Sequence, residues 1–361
     1  MKTVMTVVGA RPQFIKAAPV SKLLRRQARE ILVHTGQHYD ANMSELFFAE
    51  LEIPEPDFNL GIGSGLHGEQ TGRMLVALEK LLQEHKPDWM LVYGDTNSTL
   101  AGALAASKLH IPVAHVEAGL RSFNRTMPEE INRILTDRMA DLLFCPTTVA
   151  IHHLQREGIV RGVYLTGDVM MDAALHFSAL AESKTDPFAD LGIDRKGYCL
   201  LTCHRPQNTD DPQVLGELVD AFLQAEKTLI FPVHPRTRKM LSQFDFWQLL
   251  QKAPHIRLIE PVGYLEMIQL EKQAEMIITD SGGVQKEAYF FGVPCITLRS
   301  ETEWVETVQD GWNLLVGHQR ERILDALNHF QPAGEQARHY GDGHASEKIV
   351  DLILNDGHRS P

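Results

Sequence analysis

The chain has 361 residues, which is more than one compact core usually holds and fits two domains. Its formal net charge of −12 argues against nucleic acid or an anionic membrane surface as the main partner. No stretch approaches the roughly 18 apolar residues of a membrane span, and the N-terminal MKTVMTVVGARP is typical of a strand rather than a signal peptide. We therefore expect a cytoplasmic globular protein with neither nucleic acid nor a membrane as partner.

In the first half of the chain, predicted strands alternate with predicted helices. The strands are Thr3–Val8, Glu30–His34, Trp89–Tyr93, Pro112–Val116, Leu142–Cys145 and Val163–Thr166. Helices are expected after Arg11-Pro12 and around Met43–Leu51, Thr71–Gln83, Ser98–Leu109 and Ile131–Ala140. The strands are nearly continuous apolar runs, which is typical of a parallel sheet covered by helices on both faces.

The alternation breaks at Ser178–Lys196, a polar stretch that we interpret as the region between two domains. It restarts with the strands Tyr198–Thr202, Leu229–Val233, Arg257–Glu260, Met276–Thr279, Cys295–Leu298 and Leu314–Val316, and a helix is expected over Ser346–Leu354. The pattern predicts an α/β fold of two Rossmann-like, doubly wound domains with a cleft between them. Their predicted limits are 1–177 and 178–345, with 346–361 as a closing C-terminal helix.

Three carboxylates follow elements of the first half: Asp95, Glu117 and Glu129. The carboxyl ends of parallel strands are where open α/β sheets bind ligands, so converging acids there indicate proton transfer. Each acid also has a structural interpretation. Asp95 precedes a helix that it could cap, and Glu129 follows Pro128 in a first helical turn, where the helix dipole favours acids. Glu117 is the least easily explained in this way.

The second half carries a phosphate-type pattern. Ser281, Gly282 and Gly283 follow the strand Met276–Thr279 and open a helix, so their N–H groups and hydroxyl suit a phosphate. Glu287, one turn later, suits a ribose. The alternative is a plain strand-to-helix connection with a small-residue cap.

Three further cationic or titratable groups follow strands. Arg11 follows the first strand and suits a diphosphate, although a solvated arginine at a helix start would have the same pattern. His204 and Arg205 follow the strand that opens the second half, and His234 follows the next one. Acid/base or phosphate contacts are possible roles there, but a single histidine at a strand end is more often structural.

Other motifs are absent or out of context. Gly63–Gly68 matches G-x-G-x-x-G, but no predicted strand precedes it and no acidic residue follows at a second strand end. There is no Walker A motif and no H-E-x-x-H motif, so we expect no metal and no redox cofactor. The four cysteines form no C-x-x-C pair, and we expect buried, reduced thiols rather than a catalytic cysteine.

Eight sequence blocks then occur in one order across nearly the whole chain: GARPQFIKAAP, TGQHYDANMSE, YGDTNSTLAG, HVEAGLRS, MPEEINR, HPRTR, DSGGVQKEA and ETEWVE. Together they resemble the non-hydrolysing UDP-N-acetylglucosamine 2-epimerases. The resemblance implies a glycosyltransferase-B type fold, a homodimer, and epimerisation at C2 by elimination and re-addition of UDP through a 2-acetamidoglucal, without metal or redox cofactor. It places Asp95, Glu117 and Glu129 near C2, Arg133 on the substrate, Glu287 on the uridine ribose, and Arg11, His204 and Ser281–Gly283 on the diphosphate.

The chain also departs from the usual family pattern. Gln13 and Gln207 stand where many members have a carboxylate, and parts of the blocks look like a branch acting on UDP-2,3-diacetamido-2,3-dideoxyglucuronate. Our hypothesis is that fewer acids near the sugar would tolerate a 6-carboxylate. Gln37, His38, Arg73 and His234 match blocks that bind a second UDP-GlcNAc in some bacterial members, while Asp40 departs from them. Rivals are a glycosyltransferase of the same fold, a hydrolysing epimerase and a non-catalytic UDP-sugar sensor.

Overall fold

A computed structural model describes residues 1–37, 48–184 and 186–355. The chain divides into two compact units. The first unit comprises Met1–His176 and Arg338–Pro361, and the second comprises Phe177–Ala337. No helix within the described residues is long and apolar enough to cross a membrane.

The first unit is built on a parallel sheet. Its strands are β1 (Thr3–Val8), β2 (Arg29–His34), β3 (Phe58–Asn59), β4 (Trp89–Tyr93), β5 (Val113–Val116), β6 (Leu142–Cys145) and β7 (Val163–Leu165). Its helices are α1 (Arg11–Gln27), α2 (His67–His85), α3 (Asn97–Lys108), α4 (Pro128–Met139), α5 (Thr148–Arg156), the first half of α6 (Val169–Lys184), and the C-terminal helix Ala345–Asn355. In space the strands lie in the order β3-β2-β1-β4-β5-β6-β7.

The second unit repeats this plan with a six-stranded parallel sheet. Its strands are β8 (Cys199–Thr202), β9 (Leu229–Pro232), β10 (Ile256–Ile259), β11 (Met276–Thr279), β12 (Cys295–Thr297) and β13 (Asn313–Leu315). Its helices are α7 (Pro187–Leu191), α8 (Pro206–Thr209), α9 (Pro212–Gln224), α10 (Pro235–Gln243), α11 (Trp247–Lys252), α12 (Tyr264–Lys272), α13 (Gly282–Phe290), α14 (Val305–Gln309) and α15 (Arg320–His329). The strand order is β10-β9-β8-β11-β12-β13. The predicted α/β class with two parallel, doubly wound sheets is therefore confirmed.

The central strands explain the stability of both sheets. All five residues of β4 are at most 2% exposed, and β8 and β11 are buried along their whole length. Such strands bury apolar side chains on both faces, which is the pattern that helices on both sides of a parallel sheet require. The helix α3 comes after β4 in the chain and packs close to it, because the buried residues of this helix are small, Ala101, Ala103 and Ala105 among them.

The helix α6 runs through the region that we predicted to lie between the domains. It extends from Val169 to Lys184, and the division between the two units falls after His176, inside this helix. The polar stretch Ser178–Lys196, which suggested a break, therefore begins inside a helix. The polar face of a helix has the same composition as a linker, so the sequence did not distinguish the two. The predicted domain limits of 1–177, 178–345 and 346–361 stay a prediction.

The C-terminal helix, α16 (Ala345–Asn355), belongs to the first unit. It lies against α1, and the ammonium group of Lys2 donates to the carbonyl oxygen of Ile353 at 3.0 Å. The predicted helix around Met43–Leu51 falls mainly on residues 38–47, outside the described residues. The short strand β3, which we did not predict, ends four residues before Gly63, and α2 begins at His67, earlier than the predicted Thr71.

Both sheets reverse their strand order at one place. The reversal lies between β1 and β4 in the first unit and between β8 and β11 in the second. The carboxyl ends of the strands at such a switch point border the crevice in which open α/β sheets bind ligands. The residues that follow these four strands are Gly9–Arg11, Gly94–Asp95, Cys203–Arg205 and Asp280–Gly283.

Candidate functional site

The turn after β1 is packed too tightly for any residue except glycine at position 9. A Cβ atom on Gly9 would lie 2.2 Å from the hydroxyl oxygens of both Ser98 and Thr35. The chain then enters α1 at Arg11, which is exposed. The predicted anion ligand Arg11 is thus placed at the switch point of the first sheet.

Gln13 joins the turns that follow β1 and β4. Its side-chain oxygen accepts from the N–H groups of Gly9 at 2.8 Å and Ala10 at 3.0 Å. Its amide nitrogen donates to the carbonyl oxygen of Tyr93 at 2.7 Å and to Thr99 Oγ1 at 3.0 Å. Gln13 is 2% exposed, so its role is internal. Our hypothesis that Gln13 removes a charge beside the sugar is not supported, because this amide is enclosed by its own unit.

Glu117 follows β5 and occupies an unusual backbone conformation. Its φ is +71°, in the left-handed region that costs a residue other than glycine about 1–3 kcal/mol. The side chain is 6% exposed, and one carboxylate oxygen accepts a hydrogen bond from the ammonium group of Lys16 on α1. Gly94 leaves room for this pair, since a Cβ there would lie 3.2 Å from Glu117 Oε2. Lys16 is a residue that the sequence analysis did not select.

Asp95 follows β4 and is held by α4. Its carboxylate accepts from Arg133 Nη2 at 2.5 Å, and its carbonyl oxygen accepts from the amide of Asn132 at 2.9 Å. The Asp95 side chain is 30% exposed, whereas that of Arg133 is 7% exposed. Burial opposes the charge of Arg133, but the carboxylates of Asp95 and Glu130 outweigh it and raise the pKa of Arg133. Asp95 is therefore an accessible carboxylate beside a permanently charged guanidinium.

The two acids at the start of α4 differ in their environment. Glu130 is 1% exposed and accepts from the N–H groups of Ser122 at 2.9 Å and Phe123 at 3.0 Å, as well as from Arg133 at 2.9 Å. Glu129 is exposed in the first helical turn. Glu130 therefore has a structural role in its own unit, and the exposed Glu129 stays a candidate for proton transfer.

In the second unit, Asp280 organises the turn that follows β8. Its carboxylate is fully buried and accepts from the N–H groups of His204 at 3.0 Å and Arg205 at 2.9 Å, and from the amide of Asn208 at 3.0 Å. The sequence analysis did not select Asp280. Its position directly after β11, beside β8 in the sheet, is the signal that could have selected it.

The pattern of Ser281, Gly282 and Gly283 forms the start of α13 as predicted. The Ser281 hydroxyl accepts from the N–H of Val284 at 3.5 Å as the N-cap of this nine-residue helix. A Cβ on Gly282 would lie 3.4 Å from Trp304 Nε1 and 3.9 Å from Arg205 Nη2, so the glycine keeps the helix start open between them. The helix start thus presents N–H groups next to a guanidinium, which is a suitable setting for an anion.

Glu287 lies beside this helix start but deeper in the unit. It is 4% exposed and accepts from the hydroxyl of Tyr264 at 2.7 Å. Burial raises the pKa of Glu287, and the Tyr264 hydrogen bond and the Lys286 charge act against that rise. A Cβ on Gly283 would be 3.9 Å from Glu287 Oε2, so the carboxyl group lies next to the predicted phosphate turn. The predicted ribose contact of Glu287 stays a prediction.

His204 and His234 come together at the same sheet edge. Their ring centroids are 5.4 Å apart, and His204 Nδ1 is 3.4 Å from Asp280. Both histidines are accessible: 40% of the His204 side chain is exposed, and His234 is an exposed residue. Burial, together with the charges of His204 and Arg236, lowers the pKa of His234. His234 Nδ1 also accepts from the N–H of Arg236 at 3.2 Å and so caps α10.

The remaining expectations concern metal ions, thiols and a second nucleotide-sugar site. Within the described ranges, no three His, Cys, Asp or Glu side chains converge as a metal site would require. The four thiols are buried, and burial raises the pKa of each. A thiol with a raised pKa forms little thiolate, so none of these cysteines is suited to act as a nucleophile. Gln37 uses its side-chain oxygen to accept from the Ser98 hydroxyl at 2.7 Å, and His38 and Asp40 lie outside the described residues.

Comparisons with known proteins cover almost the entire chain. The family model described as UDP-N-acetylglucosamine 2-epimerase matches residues 22–354. A UDP-N-acetylglucosamine 2-epimerase homolog of Methanococcus maripaludis is 56% identical over 98% of this chain and 99% of its own length. The UDP-2,3-diacetamido-2,3-dideoxy-D-glucuronate 2-epimerase of Pseudomonas aeruginosa is 50% identical over 97% and 99%. The crystal structure of Methanocaldococcus jannaschii UDP-GlcNAc 2-epimerase in complex with UDP-GlcNAc and UDP is 45% identical, with a TM-score of 0.88 over 98% and 99% of the two chains.

Proposed function

The chain is an isomerase that belongs to the UDP-N-acetylglucosamine 2-epimerase family, and we propose that it converts UDP-N-acetylglucosamine to UDP-N-acetylmannosamine. The expected glycosyltransferase-B type fold is confirmed by the likeness to the Methanocaldococcus jannaschii enzyme. One observation supports the proposal most directly. Accessible or paired carboxylates lie at the switch point of one sheet, and an anion-type helix start lies at the switch point of the other.

The chemistry explains why both kinds of group are needed. The C2 hydrogen of the sugar has no adjacent carbonyl group, so its direct removal as a proton is very difficult. Elimination solves this problem: a base takes the C2 proton while the C1–O bond breaks, and the electron pair leaves with UDP. The products are a 2-acetamidoglucal and UDP. A proton then adds to the opposite face of C2, and a phosphate oxygen of UDP re-forms the bond to C1.

The proton-transfer groups in this proposal are Asp95, Glu117 and Glu129. Inversion requires removal and delivery of the proton on different faces of C2, which is why more than one carboxylate is expected. Arg133 orients Asp95, and Lys16 donates to the carboxylate of Glu117. Neither cation can take the proton from C2, so the acids keep that role.

The second unit supplies the leaving-group site in this proposal. The diphosphate binds the N–H groups of Ser281, Gly282 and Gly283, with Arg205, His204 and, from the first unit, Arg11 as cationic or hydrogen-bonding partners. Glu287 accepts from the ribose hydroxyls, and His234 supports the ring of His204. These contacts stabilise the negative charge that develops on UDP as the C1–O bond breaks.

Incubation with UDP-GlcNAc alone in D2O, followed by NMR at C2, tests the function. Deuterium at C2 with UDP still attached is the expected result, together with a mixture of the two epimers. Free N-acetylmannosamine with UDP would instead indicate a hydrolysing epimerase, and absence of exchange without an acceptor would favour a glycosyltransferase. Either outcome contradicts the proposal.

The diacetamido uronate is a second candidate substrate, because the Pseudomonas aeruginosa relative of that name is 50% identical to this chain. The reaction would be the same epimerisation at C2. The C6 carboxylate is the only charge that distinguishes the two sugars. Exchange confined to UDP-2,3-diacetamido-2,3-dideoxyglucuronate, with none on UDP-GlcNAc, would transfer the proposal to that substrate.

We also propose a cytoplasmic homodimer. The family resemblance supports the dimer, and four buried free thiols with no disulfide among the described residues are compatible with a reducing compartment. Sedimentation equilibrium of the full chain tests the dimer. A single species with the 40.6 kDa mass of one chain at micromolar concentration would contradict it.

A further inference from the structure

One histidine that the proposed chemistry does not use lies between the turns that carry two of the acids. His115 belongs to β5, which pairs with β4 on one side and with β6 on the other. It is fully buried. Its two ring nitrogens point in opposite directions, and each meets an oxygen atom of a neighbouring element.

Both of these oxygens are acceptors. His115 Nε2 is 2.7 Å from the carbonyl oxygen of Gly94, which can only accept, so Nε2 must carry a proton. His115 Nδ1 is 2.7 Å from Oδ1 of Asp137. The other oxygen of Asp137 already accepts from Arg121 Nη1 at 2.7 Å and from the N–H of Gly119 at 3.1 Å. Two donors, one of them a guanidinium, already hold Oδ2 of Asp137, so Oδ1 remains an acceptor and Nδ1 carries a proton that it donates to Oδ1.

The surrounding charges balance when His115 is cationic. Asp137 on α4 is 1% exposed, and Arg121 is joined to Glu157 after α5 by hydrogen bonds of 2.7 and 2.9 Å. The group therefore contains two cations, His115 and Arg121, and two anions, Asp137 and Glu157. The exposed guanidinium of Arg138 lies beside it and donates to the carbonyl oxygen of Glu157. The neighbouring thiol of Cys145 on β6 has a pKa raised by burial and by Asp137, and stays neutral. A fully paired set of this kind is the arrangement in which buried charges are tolerated.

The hydrogen-bonded pair of His115 and Asp137 also joins the two turns that carry Asp95 and Glu117. Through Nε2, His115 fixes the carbonyl group of Gly94, the residue directly before Asp95. Through Asp137, it is connected to the N–H of Gly119, which closes the turn that begins at Glu117. The backbone of that turn is strained at Glu117, so it needs external support to persist.

We propose that His115, protonated on both ring nitrogens, and Asp137 together set the positions of Asp95 and Glu117 relative to each other. His115 and Asp137 are positioning residues, because they contact the turns and not the sugar. The inference rests on the proposed function for its catalytic consequence. The protonation state of the ring is independent of that function and can be measured without substrate.

Long-range 1H–15N correlation spectra of the full chain, labelled at its 17 histidines, test the protonation state. His115→Gln assigns the signal by its loss. We expect two protonated ring nitrogens at about pH 7.5, because each nitrogen faces an oxygen that accepts a hydrogen bond. A single protonated nitrogen at that pH would overturn the proposal.

Asp137→Asn tests the positioning role and avoids removal of the ring. An asparagine directs at most one oxygen at the histidine and the arginine together, so His115 should become neutral and titrate. We expect kcat for C2 exchange to fall about 100-fold with KM within about threefold, because a displacement near 1 Å has that effect. The plot of kcat against pH should also gain an inflection that the wild type lacks. Unchanged kcat and an unchanged profile in folded Asp137→Asn would show that the pair is only structural.

Asp141→Asn is the matched control. Asp141 Oδ2 accepts from the N–H of Val113 at 2.8 Å, on the same strand as His115, but Asp141 is exposed and has no link to either turn. Its kcat should stay within about twofold of the wild type, as for most surface substitutions. If the wild-type protein itself shows no C2 exchange, the proposed function fails, while the ring protonation in the spectra still decides the state of His115.

Discussion

The carboxylate of Glu117 is buried, contacts an ammonium group and stands on a left-handed backbone. Sequence reasoning selected this residue because it follows a buried strand and has no helix to cap. The cation beside it was not selected, since Lys16 lies within the helix α1, where a lysine is ordinary. The sequence shows which elements a side chain belongs to, but the contact between β5 and α1 exists only in the folded unit.

Lys16→Met should lower the free energy of unfolding by about 3–5 kcal/mol, because it leaves a buried charge without its partner. It should also lower the rate of C2 exchange by at least about 100-fold, because Glu117 is no longer held in place. Exchange is measured by NMR in D2O, and the free energy of unfolding is measured in urea. Lys22→Met is the control, since Lys22 is an exposed lysine of the same helix. Equal exchange rates in the two variants would show that the Lys16–Glu117 contact has no catalytic importance.

Gln13 illustrates a different failure of sequence reasoning at the residue scale. A glutamine in place of an expected acid suggested a change in charge beside the ligand. In the structure, all four of its hydrogen bonds go to the turns after β1 and β4 and to α3. An amide can donate and accept at once, and that property explains its place at this point in the unit. Gln207, the other amide in place of an acid, is exposed in α8, so the hypothesis on substrate choice stays a prediction for that position.

At the scale of elements, the sequence predicted most of the fold. Strands β1, β4, β6 and β11 begin and end where the apolar runs predicted, because runs of four to six buried residues in parallel sheets leave a clear pattern. Helix α6 was not predicted, and the polar residues in its second half were interpreted as part of a linker. The grouping of α16 with the first unit was not predictable, since it depends on contacts with α1 and α6.

Asp172 supplies one of these contacts. This buried residue of α6 accepts from the N–H groups of Ala345 at 3.2 Å and Ser346 at 2.7 Å, and so caps α16 from another helix. We expect Asp172→Ala to lower the free energy of unfolding by about 2 kcal/mol, because two buried donors lose their acceptor. Urea unfolding followed by circular dichroism measures this loss.

Asp342→Ala is the control for that substitution. Asp342 also accepts near the start of α16, from the N–H of His344 at 3.2 Å, but it is outside the buried core. Its effect should stay within about 0.5 kcal/mol. If the two substitutions destabilise the chain equally, burial of the Asp172 cap is not what fixes α16.

For the whole molecule, the two units carry different kinds of polar groups. Acids and their cations gather at the switch point of the first sheet, whereas the helix start, His204 and Arg205 gather at that of the second. The same strand order in both sheets produces both sites, so the fold explains where each site lies but not its chemistry. The proposed function assigns proton transfer to one unit and most of the UDP contacts to the other.

This division predicts opposite effects for two substitutions. Glu117→Gln removes a proton acceptor and should lower C2 exchange by about three orders of magnitude while the Kd for UDP stays within about twofold. Ser281→Asp keeps a good helix cap but adds a negative charge at the diphosphate, so the Kd should rise at least tenfold, or about 1.4 kcal/mol. Ser281→Asn is its uncharged control and should bind UDP normally. Calorimetry with UDP and NMR exchange measure the two effects, and weak UDP binding by Glu117→Gln would contradict the division.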